Sequence, residues 1–546
     1  MNVILKKAFL VSTLVLAGCS ATSQSAQTTI DTSYDEENAS HITLADTIQI
    51  TGNGLSLQEN TVTISTPGTY ILEGSSLQAK IVIDSASKGD VKLVCRNVNM
   101  ESDTGPVITV AEASKTYIIV DENTTSTLTV SGSDSDEESA AILSHDDLVL
   151  AGSGTLNITC EADGIAANDT LLAQDITMNI VAGDDGIQVN DAINITSATL
   201  SITTADGAQD ITQNALPSDF QPKEDSSMQD RPAPPNQNTQ DGSQQPPALP
   251  NQTDEKPTGT PPQDNGQPMQ KEEDTTEDES TKAKGIKCDG DIDVEDSTLT
   301  LNCADDAIHT NANFTTTSSS LSIKSGDDGI HADSTVTINS GDITIAQSYE
   351  GIEGKEIVIN DGNINIVSSD DGINSADPSV SSGMQADSST LTINGGNIVI
   401  DASGDGIDMN GSGEMNGGTV TVYGPTNDGD AALDYSGTFN VDGGTLLAGG
   451  SSGMAMTPSQ SSKVNSLMID ASGTITVQDA EGKTILTYAS DKQYANLVLS
   501  SDLLETGKAY TILQDGEQIQ TITLSEGITN LSSNTNSVLK RNNPEV

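Results

Sequence analysis

The chain has 546 residues, of which 80 are acidic and 22 basic, and its formal net charge is -58 at pH 7. This charge excludes general electrostatic binding to nucleic acid or to anionic membrane surfaces, and it favours cationic partners or metal ions. The chain is rich in Gly, Ser, Thr, Asn, Val and Ile and has almost no long amphipathic helical pattern, so we predict an all-β protein of short strands and turns.

The N-terminal segment predicts export and lipid attachment. Residues 1–18 carry two lysines and then an apolar run that is too short to span a membrane, which is typical of a signal peptide. Residues 16–19 read Leu-Ala-Gly-Cys and resemble the bacterial lipoprotein box, so Cys19 is the expected lipidation site. We expect an extracytoplasmic protein that is lipid-anchored to the cell membrane or cell surface, with residues 19–40 as a polar tether.

Residues 41–210 and 284–460 are predicted to form the coils of a solenoid. An acidic turn, as in GDDGIHAD at 326–333, recurs every 21 or 22 residues within two blocks, with a further copy after an insertion, and about three short alternating stretches fill each interval. The turn glycines, or the alanine in their place, are Gly164, Gly186, Gly207, Gly285, Ala307, Gly329, Gly351, Gly372 and Gly406. This pattern predicts a parallel β-helix with about 22 residues per coil.

The residue after each turn predicts an internal apolar ladder. Isoleucine follows eight of these turns, at Ile165, Ile187, Ile286, Ile308, Ile330, Ile352, Ile373 and Ile407. Cys160 and Cys303 also share one position relative to the turn, at the end of an alternating apolar stretch. We therefore expect both thiols in the core rather than in disulfides or a zinc site.

Two segments depart from the repeat. Residues 211–283 are rich in Pro, Gln, Asp and Ser with hardly an apolar side chain, which predicts a disordered insertion extruded from the solenoid. The acidic turn is absent after residue 460, where hairpin patterns predict a small C-terminal β cap or module at 461–546.

Acidic residues stack along the predicted solenoid. The position before the turn glycine holds Asp163, Asp185, Asp206, Lys284, Asp306, Asp328, Glu350, Asp371 and Asp405, and the position before that adds Asp184, Asp305, Asp327 and Asp370. Carboxylates about 5 Å apart repel by about 3 kcal/mol at an effective dielectric constant of 20. Calcium would relieve this repulsion with hard oxygen ligands, and we favour it at the paired aspartates. The alternative is that aspartate simply suits glycine turns and points its charge into solvent.

His309 and His331 share a register two residues after the turn position. A transition metal bridging the two rings is one interpretation. Two solvent-exposed turn histidines are the other, and it is the interpretation that the sequence favours.

The repeated DDGI[HN] turns, the entry TVTISTPGTYILEG, the strand KLVCRNVNM and the low-complexity insertion together resemble a bacterial family of extracellular carbohydrate-binding proteins. The resemblance covers roughly residues 47–450. It implies a right-handed parallel β-helix, as in polysaccharide lyases, with Ca²⁺ as cofactor and a polysaccharide as partner. The calcium ligands that it implies are Asp184, Asp185, Asp305, Asp306, Asp327, Asp328, Asp370 and Asp371.

The composition favours binding over catalysis. A lyase of this architecture needs an Arg or Lys base near its calcium, and the chain's three arginines, Arg96, Arg231 and Arg541, lie outside the acidic coils. The bases that remain within those coils are Lys284, Lys287, Lys324 and Lys355, so a lyase is disfavoured but stays an alternative. We expect recognition of an acidic, uronate-containing (pectate-like) polysaccharide, because bound calcium can bridge protein and uronate carboxylates. A polysaccharide lyase or glycoside hydrolase, and a structural rod or adhesin that does not bind sugars, are the alternatives.

Overall fold

The computed structural model describes residues 30–132, 139–209, 282–380 and 386–532. These ranges contain strands and turns and no α-helix, which confirms the all-β class. Within them, no helix is long and apolar enough to cross a membrane. The predicted signal peptide, Cys19, the first half of the tether (19–29) and most of the insertion lie outside the described residues.

Forty-five strands are distributed along these ranges. The first nineteen precede the insertion: β1 (Ser40–Leu44), β2 (Gln49–Thr51), β3 (Leu55–Gln58), β4 (Thr61–Ile64), β5 (Gly68–Leu77), β6 (Lys80–Asp84), β7 (Val91–Ser102), β8 (Ile108–Glu112), β9 (Thr116–Val120), β10 (Thr125–Val130), β11 (Ala140–Ser144), β12 (Leu148–Ala151), β13 (Thr155–Cys160), β14 (Asp163–Ala167), β15 (Thr170–Gln174), β16 (Thr177–Ala182), β17 (Ile187–Val189), β18 (Ala192–Thr196) and β19 (Thr199–Thr204). The next nineteen form the acidic coils: β20 (Ile286–Cys288), β21 (Asp291–Glu295), β22 (Thr298–Cys303), β23 (Ile308–Thr310), β24 (Asn313–Thr317), β25 (Ser319–Ser325), β26 (Ile330–Ile338), β27 (Gly341–Gln347), β28 (Ile352–Ile359), β29 (Asn363–Ser368), β30 (Ile373–Ser375), β31 (Thr390–Ile393), β32 (Asn397–Ala402), β33 (Ile407–Met409), β34 (Ser412–Met415), β35 (Thr419–Tyr423), β36 (Asp434–Tyr435), β37 (Phe439–Val441) and β38 (Thr445–Gly450). The last seven are β39 (Asn465–Asp470), β40 (Ile475–Gln478), β41 (Thr484–Tyr488), β42 (Asn496–Ser501), β43 (Ala509–Gln514), β44 (Glu517–Thr523) and β45 (Ile528–Asn530).

Three short strands make each coil, and each strand pairs in parallel with its equivalent in the next coil. Strands β20, β21 and β22 pair with β23, β24 and β25 in this way. Ile286 lies opposite Ile308, 22 positions later, and Ile308 lies opposite Ile330. Within the described ranges, 41 strands join in one mostly parallel sheet. The fold is therefore a β-helix-like solenoid.

The predicted isoleucine ladder is confirmed. All eight isoleucines are fully buried, and each pairs with the next one along the solenoid. Each buried side chain of this size stabilises the fold by about 1.5–3 kcal/mol relative to an exposed one. Cys160 and Cys303 are buried free thiols, as predicted.

The strands on the two sides of the insertion are direct neighbours. Strand β17 pairs with β20, and the Gly186 N–H donates to the carbonyl oxygen of Lys284, so Gly285 is the turn after Gly186. The prediction of a separate rung at Asp206 and Gly207 was wrong. These two residues lie in the turn that leads into the insertion, where Gly207 has a φ of +73°.

The turn glycines of the solenoid are required by close packing between coils. Unlike Gly207, the turn glycines of the row are not in the left-handed region. A Cβ on Gly329 would lie 2.6 Å from the carbonyl oxygen of Gly351 in the next coil. The coils thus approach so closely at this corner that most rungs leave no room for a side chain.

Antiparallel strands end the solenoid. Strand β42 pairs antiparallel with both β38 and β39, and so covers the last coil. Strands β40, β41, β43 and β44 form a separate four-stranded antiparallel sheet, which shares a second apolar cluster with β38, β39 and β42. This region falls within the predicted cap at 461–546, and it protects an edge that would otherwise be open to pairing.

Candidate metal centre

The position before the turn glycine forms a continuous row of acidic side chains, which we call the buried acidic row: Asp163, Asp185, Asp306, Asp328, Glu350, Asp371 and Asp405, interrupted by Lys284. Neighbouring members of the row lie in consecutive coils, as shown by the hydrogen bond from each turn N–H to a carbonyl oxygen of the next coil. Three of them, Asp185, Asp306 and Asp328, are at most 6% exposed. The predicted stacking of carboxylates is therefore present. The burial of these three side chains argues against the alternative in which the aspartates point their charge into solvent.

One carboxylate oxygen of each aspartate in the row has a structural role. It accepts a hydrogen bond from the backbone N–H of the equivalent residue in the next coil. The Oδ1 atoms of Asp163, Asp185, Asp306, Asp328 and Asp371 accept at 3.0, 2.8, 3.0, 3.2 and 2.6 Å, and Asp405 accepts from Ala431. Charged acceptors of this kind make stronger bonds than neutral ones, so aspartate holds successive corners together. The second oxygen remains available to a cation.

At the N-terminal end of the row, Asp163, Asp184 and Asp185 bring ligand oxygens within 4.8 Å of one another. Burial and the charges of Asp185 and Asp184 raise the pKa of Asp163 to about 7. The Lys287 ammonium, 3.0 Å from Asp185 Oδ2, supplies one compensating charge.

Lys284 neutralises the centre of the row. Its Nζ lies 2.9 Å from Asp305 Oδ2 and 2.7 Å from Asp306 Oδ2, with all three side chains largely buried. Burial opposes the charge on Asp306, but bonds from His309 and Lys284 lower the pKa of this carboxyl to about 2. Among the described residues Asp327 forms no ion pair, and burial with the charges of Asp328 and Asp306 raises its pKa to about 8 although Lys284 opposes the rise. Lys284 is thus a counter-ion that the protein itself supplies to this part of the row.

The two histidines, which we call the histidine pair, lie against the same row. His309 Nδ1 is 2.8 Å from Asp306 Oδ2, and His331 Nδ1 is 3.2 Å from Asp328 Oδ2 and 3.4 Å from Glu353 Oε2. Their side chains are 19% and 22% exposed, so the interpretation as solvent-exposed turn histidines was wrong. Burial lowers the pKa of His331, but the bond to Asp328 and the charge of Glu353 outweigh it and raise the pKa to about 9.

The C-terminal end of the row has a surplus of negative charge. Asp371, Asp405 and Asp408, which we call the C-terminal acidic cluster, bring carboxylate oxygens within 4.8 Å of one another. Burial and, after it, the charges of neighbouring carboxylates raise their pKa values to about 9, 8 and 7, and backbone N–H bonds to these carboxylates oppose this rise only in part. Among the described residues, no Lys, Arg or His forms an ion pair with these three. A divalent cation would supply the missing charge.

Most of the predicted calcium ligands lie in such groups. Seven of them share a group of convergent ligand atoms: Asp184, Asp185, Asp305, Asp306, Asp327, Asp328 and Asp371. Asp370 does not, and instead hydrogen-bonds with Tyr349. Sequence reasoning left out Asp408 and Glu353, which occupy the same position as the histidine pair, two residues after the turn. Reading that position down the solenoid would have found them.

The fold and the site define an all-β solenoid whose coils bury a row of carboxylates suited to cations. The chain belongs to the family of carbohydrate-binding domain-containing proteins, whose model matches residues 58–221, 238–329 and 327–529. Among solved structures, it is similar to the polysaccharide lyase-like protein from C. thermocellum, solved as a gadolinium derivative. The sequence identity is 18% and the TM-score 0.39, with 55% of this chain and 96% of that chain covered. A search of curated proteins finds no match.

Proposed function

We propose that this protein is a cell-surface, calcium-binding protein that binds an acidic polysaccharide and does not cleave it. The observation that carries the proposal is the C-terminal acidic cluster, in which three largely buried carboxylates converge without a partner cation among the described side chains. Family membership supports the carbohydrate part of the proposal.

Calcium fits this cluster better than other common ions. The donors are carboxylate oxygens, and Ca²⁺ accepts six to eight oxygen ligands in flexible geometry, whereas Mg²⁺ requires a strict octahedron. Asp371, Asp405 and Asp408 would hold the ion, and Asp370 and Asp434 are charged neighbours close enough to affect the cluster. When bound, the ion supplies positive charge on a surface that otherwise repels anions.

An acidic glycan is the expected partner because of this charge reversal. A chain with a net charge of -58 repels polyuronates unless cations intervene. The chain has no Trp, 4 Phe and 9 Tyr, so it offers few aromatic faces on which neutral sugar rings could stack. Calcium shared between protein and uronate carboxylates supplies the attraction that stacking does not.

The proposal also includes the finer features of architecture and location. The solenoid winds right-handed with about 22 residues per coil, residues 1–18 are removed, and Cys19 carries the lipid anchor. Incorporation of a labelled fatty acid that is lost in Cys19→Ser tests the anchor. Labelling that persists in this variant contradicts it.

The test of calcium and glycan binding uses a double variant with a charge-matched control. Asp371→Asn with Asp405→Asn removes two carboxyl groups from the cluster, and Asp46→Asn with Asp491→Asn removes two from exposed turns. We expect calorimetry to show weaker calcium binding in the first pair alone. We also expect polygalacturonate to retard the wild-type protein on affinity gels in calcium but not in chelator.

Two results would overturn the proposal. One is equal calcium affinity in the cluster variant and its control. The other is a protein-dependent rise in the ultraviolet absorbance of polygalacturonate, which reports unsaturated products and would identify a lyase instead of a binder.

A further inference from the structure

The histidine pair is chemically distinct from the rest of the buried acidic row, because it adds nitrogen ligands to a row of oxygens. Calcium prefers oxygen, whereas imidazole nitrogen suits zinc, nickel, copper and iron. Ligand atoms of Asp306, His309 and His331 lie within 4.8 Å of one another, and so do those of Asp328, His331 and Glu353. His331 is common to both groups.

The distances around His331 match the edges of a tetrahedral site. With metal–ligand bonds of about 2.0–2.1 Å, neighbouring ligand atoms of tetrahedral zinc lie about 3.3 Å apart. His331 Nδ1 is 3.2 Å from Asp328 Oδ2 and 3.4 Å from Glu353 Oε2. The imidazole nitrogen is therefore already at the separation from each of the two carboxylate oxygens that one small divalent ion requires.

His309 is the neighbouring imidazole that can complete the site: its ligand atom converges with those of His331 and Asp306, so its ring must turn from Asp306 toward the ion to join Asp328 and Glu353. The centroids of the two imidazole rings are 4.8 Å apart and their planes are tilted by 57°. Two imidazoles on one tetrahedral ion have centroids about 5 Å apart, given metal–nitrogen bonds of about 2.0–2.1 Å. Both rings are about one-fifth exposed, so an ion can reach them from solvent.

The charges around the histidine pair also favour a divalent ion. On the N-terminal side, Lys284 satisfies Asp305 and Asp306. On the C-terminal side, Asp328, Glu350 and Glu353 crowd together, and His331 is the only cation among the described residues that forms an ion pair with Asp328 or Glu353. A divalent ion at the position of the imidazole proton replaces one positive charge by two.

We propose that His309, His331, Asp328 and Glu353 form a second metal site, selective for a borderline divalent ion such as Zn²⁺ and separate from the calcium cluster. The neighbouring rungs lack a histidine or carboxylate ligand at the equivalent position, which is Lys287 in the coil before the pair and Asn374 in the coil after Glu353. The site does not depend on the proposed calcium and glycan binding.

The test is a calorimetric titration of the full-length protein with Zn²⁺ in excess calcium. We expect one Zn²⁺ per chain, and at least about tenfold weaker binding in His309→Gln and in His331→Gln. His41→Gln removes an imidazole from β1 and should leave the affinity unchanged. Zinc affinity that survives His331→Gln, or no zinc binding by the wild-type protein, overturns the site.

Two further measurements keep the result interpretable. Co²⁺ added to the wild-type protein should produce visible absorption typical of nitrogen-ligated, low-coordinate cobalt, without any substitution that could affect folding. Absorption like that of the hydrated ion would contradict the site. The Asp371→Asn and Asp405→Asn variant should retain zinc binding, so failure of the calcium proposal and failure of the zinc proposal are separate outcomes.

Discussion

Replacing Lys284 with methionine tests whether the solenoid depends on its own counter-ion. The ammonium lies 2.9 Å from Asp305 Oδ2 and 2.7 Å from Asp306 Oδ2, and the three side chains are 16%, 12% and 3% exposed. Methionine keeps the length and the apolar stem of the side chain. The substitution therefore removes the charge with little change in packing.

The expected loss follows from the burial of both carboxylates. At these distances each pair attracts by about 6 kcal/mol at an effective dielectric constant of 20, and desolvation of the lysine offsets much of this. Removing one partner from a buried ion pair costs about 3–5 kcal/mol, because it leaves a buried charge uncompensated. His309 still bonds to Asp306 in the variant. We therefore expect the free energy of unfolding to fall by about 4 kcal/mol, rather than by the sum expected for two lost ion pairs.

The assay is urea denaturation in chelator at pH 7, followed by circular dichroism. Lys463→Met is the control, because Lys463 pairs with Asp442 at the surface with its side chain 74% exposed, and we expect no measurable change there. The difference between wild type and Lys284→Met should shrink as the pH falls from about 4 toward 2. Because the pKa of Asp306 is lower in the folded protein, its carboxylate stabilises the fold at any pH above its pKa in the unfolded chain. This stabilisation is lost as the pH falls toward the folded pKa of about 2.

A loss below about 1 kcal/mol in chelator would refute this account, because it falls far short of the cost of an uncompensated buried charge. So would a loss of equal size in Lys463→Met. Calcium added to Lys284→Met should restore part of the stability, because the carboxylates of Asp305, Asp306 and Asp327 are then left to an ion.

Three other predictions concern packing and charge. Gly351→Ala should destabilise the protein by about 1–3 kcal/mol in urea denaturation, because its methyl group would collide with the carbonyl oxygen of Gly372, and a neutral outcome would contradict the close approach of coils. Gly429→Ala, at an exposed turn, is the control. Ile330→Ala should cost about 2–5 kcal/mol by the same assay through the cavity it leaves in the ladder, and a loss below 1 kcal/mol would argue against a packed core there. In chelator, the melting temperature should fall as the pH rises from 5 to 9, since the C-terminal acidic cluster has pKa values of about 9, 8 and 7 and its protonated form favours the folded state. Calcium should abolish this fall, and a melting temperature that rises with pH in chelator would show that the cluster does not control it.

The parts of the fold that repeat were predictable from the sequence, and the parts that vary between rungs were not. The ladder from Ile165 to Ile407 and the buried Cys160 and Cys303 follow from a fixed position in every coil, where one environment imposes one residue type. The false rung at Gly207 arose because its sequence matches the turn, while hydrogen bonding places Lys284 and Gly285 there. Spacing alone does not distinguish these two cases.

Apart from the histidine pair, the acidic residues at the position two residues after the turn escaped prediction for a related reason. This position reads Lys287, His309, His331, Glu353, Asn374 and Asp408 down the solenoid, so it offers no consensus. Lys287, His309 and His331 at this position contact the second carboxylate oxygen of a residue in the buried acidic row. Side chains there can be interpreted only once the stacking of coils is known.

This pairing explains how a solenoid can bury a column of like charges. Parallel coils repeat every side chain at about the spacing of neighbouring strands, so a favourable backbone bond by one aspartate becomes a row of buried carboxylates. Each rung then needs its own positive charge, and burial makes that charge more valuable than at the surface. Lys284, Lys287, His309 and His331 supply it in the first half of the acidic coils. In the second half the facing position turns acidic at Glu353 and Asp408, which is where ions from solvent should bind most strongly.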